Sequence, residues 1–162
     1  MESAKKPTGE VPEPTEVRDR DSYTIRPFEP GDVEGFLSLY ESVWGRRKTR
    51  DWFDWKYGDD NPFYDETPVI VVDRDGELVG AKPHVPIRLR AGDETLVGLI
   101  GTDTMVHKDH RRRGLFDRLV ERTVERYADR EPVLTFNYPN DKSRRGYRNQ
   151  GWYFLGNRNV SA

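Results

Sequence analysis

The 162-residue chain contains no cysteine, which removes disulfides, thiolate metal sites and cysteine nucleophiles from consideration. Histidine is scarce too. Of the three, His107 and His110 share a short stretch but lack a third ligand at a usable spacing, so no metal site is expected. No apolar run approaches the length of a membrane span, and the opening "MESAKKPTGEVPEPTEV" lacks the apolar core of a signal peptide. The expectation is a cytoplasmic protein with no membrane partner. An excess of one charge is also missing: 27 basic residues face 29 acidic ones, for a formal net charge of −2. Nucleic acid and anionic membranes therefore have no global electrostatic claim on the chain, and any basic site must be local.

Residues 1–20 are rich in Pro, Glu, Lys and Arg and almost empty of large apolar side chains. They read as a disordered leader, with a folded domain over 21–162. A short strand is expected where Tyr23, Ile25 and Pro27 alternate with Thr24, Arg26 and Phe28. Asp32 then caps a helix carrying Val33, Phe36, Leu37 and Tyr40, and a second short helix covers "TRDWFDWKYGD". The stretch 68–106 reads as a meander, with turns at "DRDG" and "AGD" and a last strand from Thr95 to Val106. A helix with an apolar face of Leu115, Phe116, Leu119, Val120, Val124 and Tyr127 follows. "PVLTFNY" is a buried strand parallel to the last meander strand, "PNDKSRRGYRNQG" a loop and helix, and "WYFLGNRNV" a final strand. The order β-α-α-β-β-β-α-β-α-β describes an α/β (α+β) fold, a mixed sheet covered by helices.

Within it, "HKDHRRRGLFDRLV" poses an electrostatic problem. Arg111, Arg112 and Arg113 stand at the positive end of the helix that begins near Leu115, where cations are disfavoured. Backbone N–H groups of Arg112 to Phe116 lack intrahelical acceptors and converge beyond the helix end. A phosphate there accepts those hydrogen bonds and offsets the arginines. Solvation of the arginines, or pairing with Asp109 and Asp117, accounts for the same charges.

From Val106, "VHKDHRRRGLF" resembles motif A of the GNAT acyltransferase superfamily, in which an apolar strand end leads into R/Q-x-x-G-x-G/A. Arg111 takes the first position and Gly114 the first glycine, while Phe116 stands where Gly or Ala is usual. Downstream, "NDKSRRGYRNQGW" is similar to the family pattern N-x-x-A-x-x-L-Y-x-x-x-G-F. Asn140, Tyr147 and Gly151 match, with Ser143 at the Ala position, Gly146 at the Leu and Trp152 at the Phe. The element order agrees as well, so the resemblance spans roughly residues 22 to 156.

The resemblance implies a GNAT-like, mostly antiparallel sheet and acetyl-CoA, or another acyl-CoA, as donor to a small-molecule or peptide amine. By the same resemblance, Arg111, Arg112, Arg113, Gly114, Leu115 and Phe116 surround the pyrophosphate. Thr104, Met105 and Val106 offer their backbone to the pantetheine arm, with Asn140 and Ser143 beside it. Tyr147 protonates the departing thiolate. The acceptor is received near the N-terminal helices, here Trp44, Trp52, Trp55, Tyr57 and Phe63, with Asp51, Asp54, Asp59 and Asp60 close by. GNAT folds usually continue with a further strand, so either a missing C-terminal segment or a homodimer partner is implied to complete the sheet.

Asp103, inside an otherwise apolar strand, is the first candidate for the base that takes the amine's proton. His84 and His107 are weaker ones, and a purely structural carboxylate remains open at this point. Two other classes stand beside the enzyme: a CoA-binding module without turnover, motivated by Phe116, and a nucleic-acid binder using "HRRR" and "RRGYR". The near-neutral charge speaks against the latter, and CoA phosphates account for the same arginines.

Overall fold

The computed structural model describes residues 17–18, 23–58, 60–62, 64–129 and 133–156. Seven strands and four helices are present among them: β1 Val17–Arg18, β2 Tyr23–Pro27, α1 Val33–Trp44, α2 Arg50–Tyr57, β3 Val69–Arg74, β4 Glu77–Ala91, β5 Glu94–Gly101, β6 Met105–Val106, α3 Leu115–Tyr127, β7 Val133–Asn137 and α4 Asp141–Asn149. The sheet order is β1-β2-β3-β4-β5-β7, with β6 paired to β4. Every pairing is antiparallel except β5 with β7, the parallel pair expected from the sequence.

The hairpin from β3 to β4 follows from its turn residues. Asp75 and Gly76 both have positive φ, 55° and 87°, the conformation that matches the twist of the flanking strands. The side chain of Asp73 also accepts the N–H of Gly76 at 2.9 Å. β4 is long because it serves two neighbours in turn: Glu77 to Pro83 pair with β3, and His84 to Ala91 with β5.

Both faces of the sheet are covered. Phe36 and Tyr40 of α1 and Phe53 and Tyr57 of α2 pack with Val69, Val71, Ala81 and Met105 on one face. On the other, Leu115 and Leu119 of α3 pack with Tyr23, Ile25, Ile70, Val72 and Val79. The apolar face read for α3 is real over Leu115, Leu119, Val120 and Tyr127, but Val124 is exposed and Thr123 is buried in its place. Thr123 bonds its hydroxyl to Leu119 O at 2.8 Å, which satisfies its polar atom inside the helix.

Val17–Arg18 pair with β2 at Ile25 and Thr24; residues 1–16 and 19–22 lie outside the described part. Three expectations need correction. The strand read as Thr95 to Val106 is two strands, Glu94–Gly101 and Met105–Val106, broken at 102–104. Asp32 does not cap α1 with its side chain, because a 3-10 turn, Pro30–Asp32, precedes the helix. Its carboxylate is drawn instead to Arg26, at 2.7 and 2.9 Å, and to the N–H of Glu29 at 2.8 Å. Trp152 to Gly156 form no strand, and residues 157–162 lie outside the described part.

Candidate active site

The site begins with a mismatch between strands. Gly101 pairs with His84 and Met105 with Ala81, so three residues, Thr102, Asp103 and Thr104, face only two, Lys82 and Pro83. This is a β-bulge. Pro83 is the reason it is tolerated. The N–H of His84 bonds Pro68 O on the β3 side, while Pro83 O accepts the N–H of Thr102 on the other, at 3.0 and 3.1 Å. Pro83 therefore turns its missing N–H toward the bulge, where no ladder bond is available to lose. Among the described residues, the N–H groups of Asp103 and Thr104 make no backbone hydrogen bond. The paired register of β5 and β7 ends at Gly101–Asn137, just before the bulge.

Beyond β6 the chain forms a short turn and enters α3 through Arg112 and Gly114, at φ 61° and 72°. No side chain caps α3, whose first intrahelical bond runs from the N–H of Arg118 to Gly114 O at 3.1 Å. The N–H groups of Leu115, Phe116 and Asp117 therefore point out of the helix end. Arg111, Arg112, Arg113 and Gly114 are all exposed. Among the described residues none of these arginines pairs with Asp109 or Asp117; Asp109 lies 3.7 Å from His107 instead. Arg111 folds back to donate to Val106 O at 3.0 Å, fixing the loop against β6. His110 faces the core side, its Nδ1 2.8 Å from the hydroxyl of Tyr23. Burial and the nearby Arg74, His107 and Arg113 hold its pKa below the ordinary value.

α4 brings Tyr147 over the bulge. Asn140 caps this helix, its Oδ1 accepting the N–H of Ser143 at 3.0 Å and the Ser143 hydroxyl at 3.1 Å. One predicted pantetheine contact is thus also a helix cap. Tyr147 is buried, and its hydroxyl accepts from Lys82 Nζ at 2.8 Å. Burial raises its pKa, opposed by the neighbouring Thr104 and Asn137. Lys82 and His84 point to the α3–α4 face and are fully buried. Burial alone brings Lys82 down to about 7. Burial, with Lys82 nearby, takes His84 to about 3, so its ring is neutral. His84 Nδ1 lies 3.0 Å from Pro68 O, whereas His84 Nε2 and Asn137 Nδ2 are buried without a partner within hydrogen-bonding distance.

Asp103 is not inside a strand. It sits at the crest of the bulge with φ 42°, and its Oδ2 accepts from Lys56 and from the Tyr57 hydroxyl, both at 2.6 Å. The Tyr57 hydroxyl also lies 3.1 Å from Thr102 Oγ1. Burial and Asp103 push the Tyr57 phenol far up, so it remains a donor. Of the expected acceptor-side aromatics, Tyr57 is buried core, Trp52 is half-buried beneath Lys48 and Lys56, and Trp44 and Trp55 are exposed. Asp51, Asp54 and Asp60 are exposed; Phe63 and Asp59 lie outside the described residues. A cleft of about 360 Å³ opens elsewhere, lined by Pro27, Phe28, Arg50, Asp54 and Arg126 among others, and includes none of the bulge residues. The bulge is the better candidate because orphaned polar groups converge there.

The open helix end, the bulge and a buried tyrosine between them form one continuous arrangement. The family model of the acetyltransferase (GNAT) domain matches residues 24–155. The chain belongs to the GNAT family. Among curated proteins none matches. Solved GNAT structures share the fold at low identity. An aminoglycoside acetyltransferase from an uncultured soil metagenomic sample is 18% identical, covers 87% of this chain and 99% of its own, and superposes with a TM-score of 0.63. An aminoglycoside N-acetyltransferase in complex with CoA has 13% identity, coverage of 90% and 97%, and a TM-score of 0.65. Glucosamine-6-phosphate N-acetyltransferase from Arabidopsis thaliana has 13% identity, coverage of 86% and 97%, and a TM-score of 0.64.

Phe116 and Gly146, two positions at which the sequence differs from the patterns it resembles, fit together. A Cβ on Gly146 would come within 2.7 Å of Phe116 Cε1. The Phe116 ring thus fills the space left by Gly146. The ring also packs edge-on to Tyr147 at 5.2 Å, bracing the phenol.

Lys82 is announced in the sequence only by a lysine inside "LVGAKPHV", an otherwise apolar stretch.

Two expectations follow from this packing. Gly146→Leu should destabilise the domain by about 1–3 kcal/mol through overpacking, and adding Phe116→Ala should recover part of that loss in a denaturant titration. Lys82→Met should change the pH dependence of stability. The folded pKa of about 7 lies below the free value of 10.5, so the unfolded chain binds more protons across that window. The cost of burying the amine is full below about pH 7, shrinks as pH rises, and is gone above 10.5. The stability gain of Lys82→Met should therefore be full below about pH 7 and decline steadily toward pH 10; a gain independent of pH would contradict it.

Proposed function

We propose that this GNAT domain is an acetyl-CoA-dependent N-acetyltransferase that moves the acetyl group directly onto an amine, without a covalent enzyme intermediate. The observation carrying this reading is the buried Tyr147 hydroxyl held at a bulge where the N–H groups of Asp103 and Thr104 make no backbone hydrogen bond. Acid and oxyanion donor stand together there.

In this reading the N–H groups of Leu115 to Asp117 and the side chains of Arg111, Arg112 and Arg113 bind the pyrophosphate. This resolves the placement of three arginines at a positive helix pole. The backbone of Thr104, Met105 and Val106 lies along the open edge and pairs with the pantetheine arm. Asn140, its Oδ1 spent on the helix cap, keeps its amide N–H groups for a pantetheine carbonyl, with Ser143 supporting the cap. The Asp103 or Thr104 N–H polarises the thioester carbonyl, and Tyr147 gives its proton to the leaving thiolate.

For Asp103 the geometry favours holding the acceptor side in place over taking the amine's proton, since its Oδ2 already accepts from Lys56 and Tyr57. The acceptor is a small-molecule or peptide amine; the aminoglycoside and amino-sugar acetyltransferases of the same fold illustrate the small-molecule end of that range.

The test is a hydrolysis-corrected acetyl-transfer assay over a panel of amines. Turnover on at least one acceptor is expected; acetyl-CoA binding with no turnover on any would favour a non-catalytic CoA-binding module. Tyr147→Phe should then lower kcat by about 10²-fold or more with acetyl-CoA affinity nearly unchanged. Equal loss of both would make the tyrosine structural.

A further inference from the structure

Lys82, His84 and Thr123 are the buried polar side chains of the described residues, and Thr123 is satisfied within its helix. Lys82 is the unusual one. Its Nζ lies 2.8 Å from Tyr147 Oη, a distance at which the amine donates when charged and accepts the phenol proton when neutral, and stands 4.9 Å from the centre of the Tyr147 ring and 6.0 Å from that of Trp152. Room for it is made by Gly101, where a Cβ would stand 3.1 Å from the amine. The groups facing it are few. His84 comes from its own strand and is neutral, Tyr147 from α4 and Trp152 just after it. Across Gly101 lies Asn137 of β7. Among the described residues no carboxylate pairs with Lys82. A methionine would fill this space without burying an amine, so the lysine costs stability here, a cost typical of functional groups.

Resting on the acetyltransferase reading above, we propose that Lys82 stores, behind Tyr147, the proton that the acceptor amine must shed, and returns it through the same phenol to the departing thiolate. As the acceptor nitrogen bonds the thioester carbon, it becomes a cation and passes one proton to Tyr147 Oη, while the phenol proton moves to the lone pair of Lys82. On collapse the C–S bond breaks and sulfur takes its electron pair. Tyr147 protonates that sulfur and recovers a proton from the Lys82 ammonium. The proton that leaves nitrogen ends on the thiol, and both side chains finish as they began. One phenol thereby serves first as base and then as acid, which answers the absence of a free carboxylate at Asp103. Only Tyr147 touches the reacting atoms; Lys82 acts through it. The store works only when Lys82 starts neutral.

The experiment measures kcat against pH at saturating acetyl-CoA and acceptor, using two acceptors of different basicity. For the wild type, kcat should fall below about pH 7 with a midpoint shared by both acceptors. Lys82→Met should keep acetyl-CoA affinity and a cooperative melt, lose about 10²-fold in kcat, and lose that acid limb. A conservative rescue is open because the chain has no cysteine of its own. Lys82→Cys, alkylated in denaturant to the aminoethyl thioether and refolded, restores an amine of lysine length but lower basicity. It should regain turnover with the limb moved to lower pH. Wild-type kcat and an unchanged limb in Lys82→Met would overturn the storage role and leave the acetyltransferase reading standing, as would a wild-type limb that follows the acceptor's basicity. A wild-type chain that neither binds acetyl-CoA nor turns over sinks both.

Discussion

Between the pairs His84–Gly101 and Ala81–Met105, two residues of β4 must face three of the neighbouring chain. The extra residue cannot be absorbed by the ladder, and Pro83 brings no N–H with which to close it. Most of the site depends on this mismatch. It leaves the N–H groups of Asp103 and Thr104 unpaired, ends the contact of β5 with β7 at Asn137, and forces Asp103 into a left-handed conformation. From there its carboxylate reaches Lys56 and Tyr57 on the α2 side. A regular ladder would have buried the same backbone and offered a ligand nothing.

The bulge separates two electrostatic environments. On the α3 side, three exposed arginines and an uncapped helix end add positive potential to positive potential, an arrangement that an anion relieves. On the α4 side, a lysine is buried beside a phenol with no carboxylate to hold its charge. Each is unfavourable within the free protein, and the two flank the bulge. The rest of the fold, by contrast, agrees with itself: apolar clusters on both faces, a hairpin turn with the two positive φ angles it requires, and a left-handed Gly45 at φ 65° closing α1. Unfavourable charges gathered on both sides of one bulge are what a site built to be completed by a ligand looks like.

Much of this was legible in the residues because periodicity and turn chemistry are local. The helices, the meander and the parallel pairing of β5 with β7 could be read that way, and the motif residues from Arg111 to Phe116 and from Asn140 to Trp152 could be named. The bulge could not, because alternation of apolar residues through 95–106 looks the same whether or not one residue is skipped. The pattern therefore puts Asp103 in a strand it does not occupy. A lysine in a strand usually marks a solvent-facing position, whereas Lys82 is buried by α4 lying over that face. The bulk of Phe116 finds its space at Gly146, thirty residues away.

The central claim is that the bulge and the open end of α3 form one acyl-CoA site. Calorimetric titration with acetyl-CoA, with ATP as a phosphate-bearing control and Gly114→Asp as the blocked variant, tests it most directly. The account predicts saturable acetyl-CoA binding, much weaker binding of ATP, and loss of the acetyl-CoA signal when a carboxylate is set at the entrance to α3. Equal affinity for ATP and acetyl-CoA, or full affinity in Gly114→Asp, would contradict it.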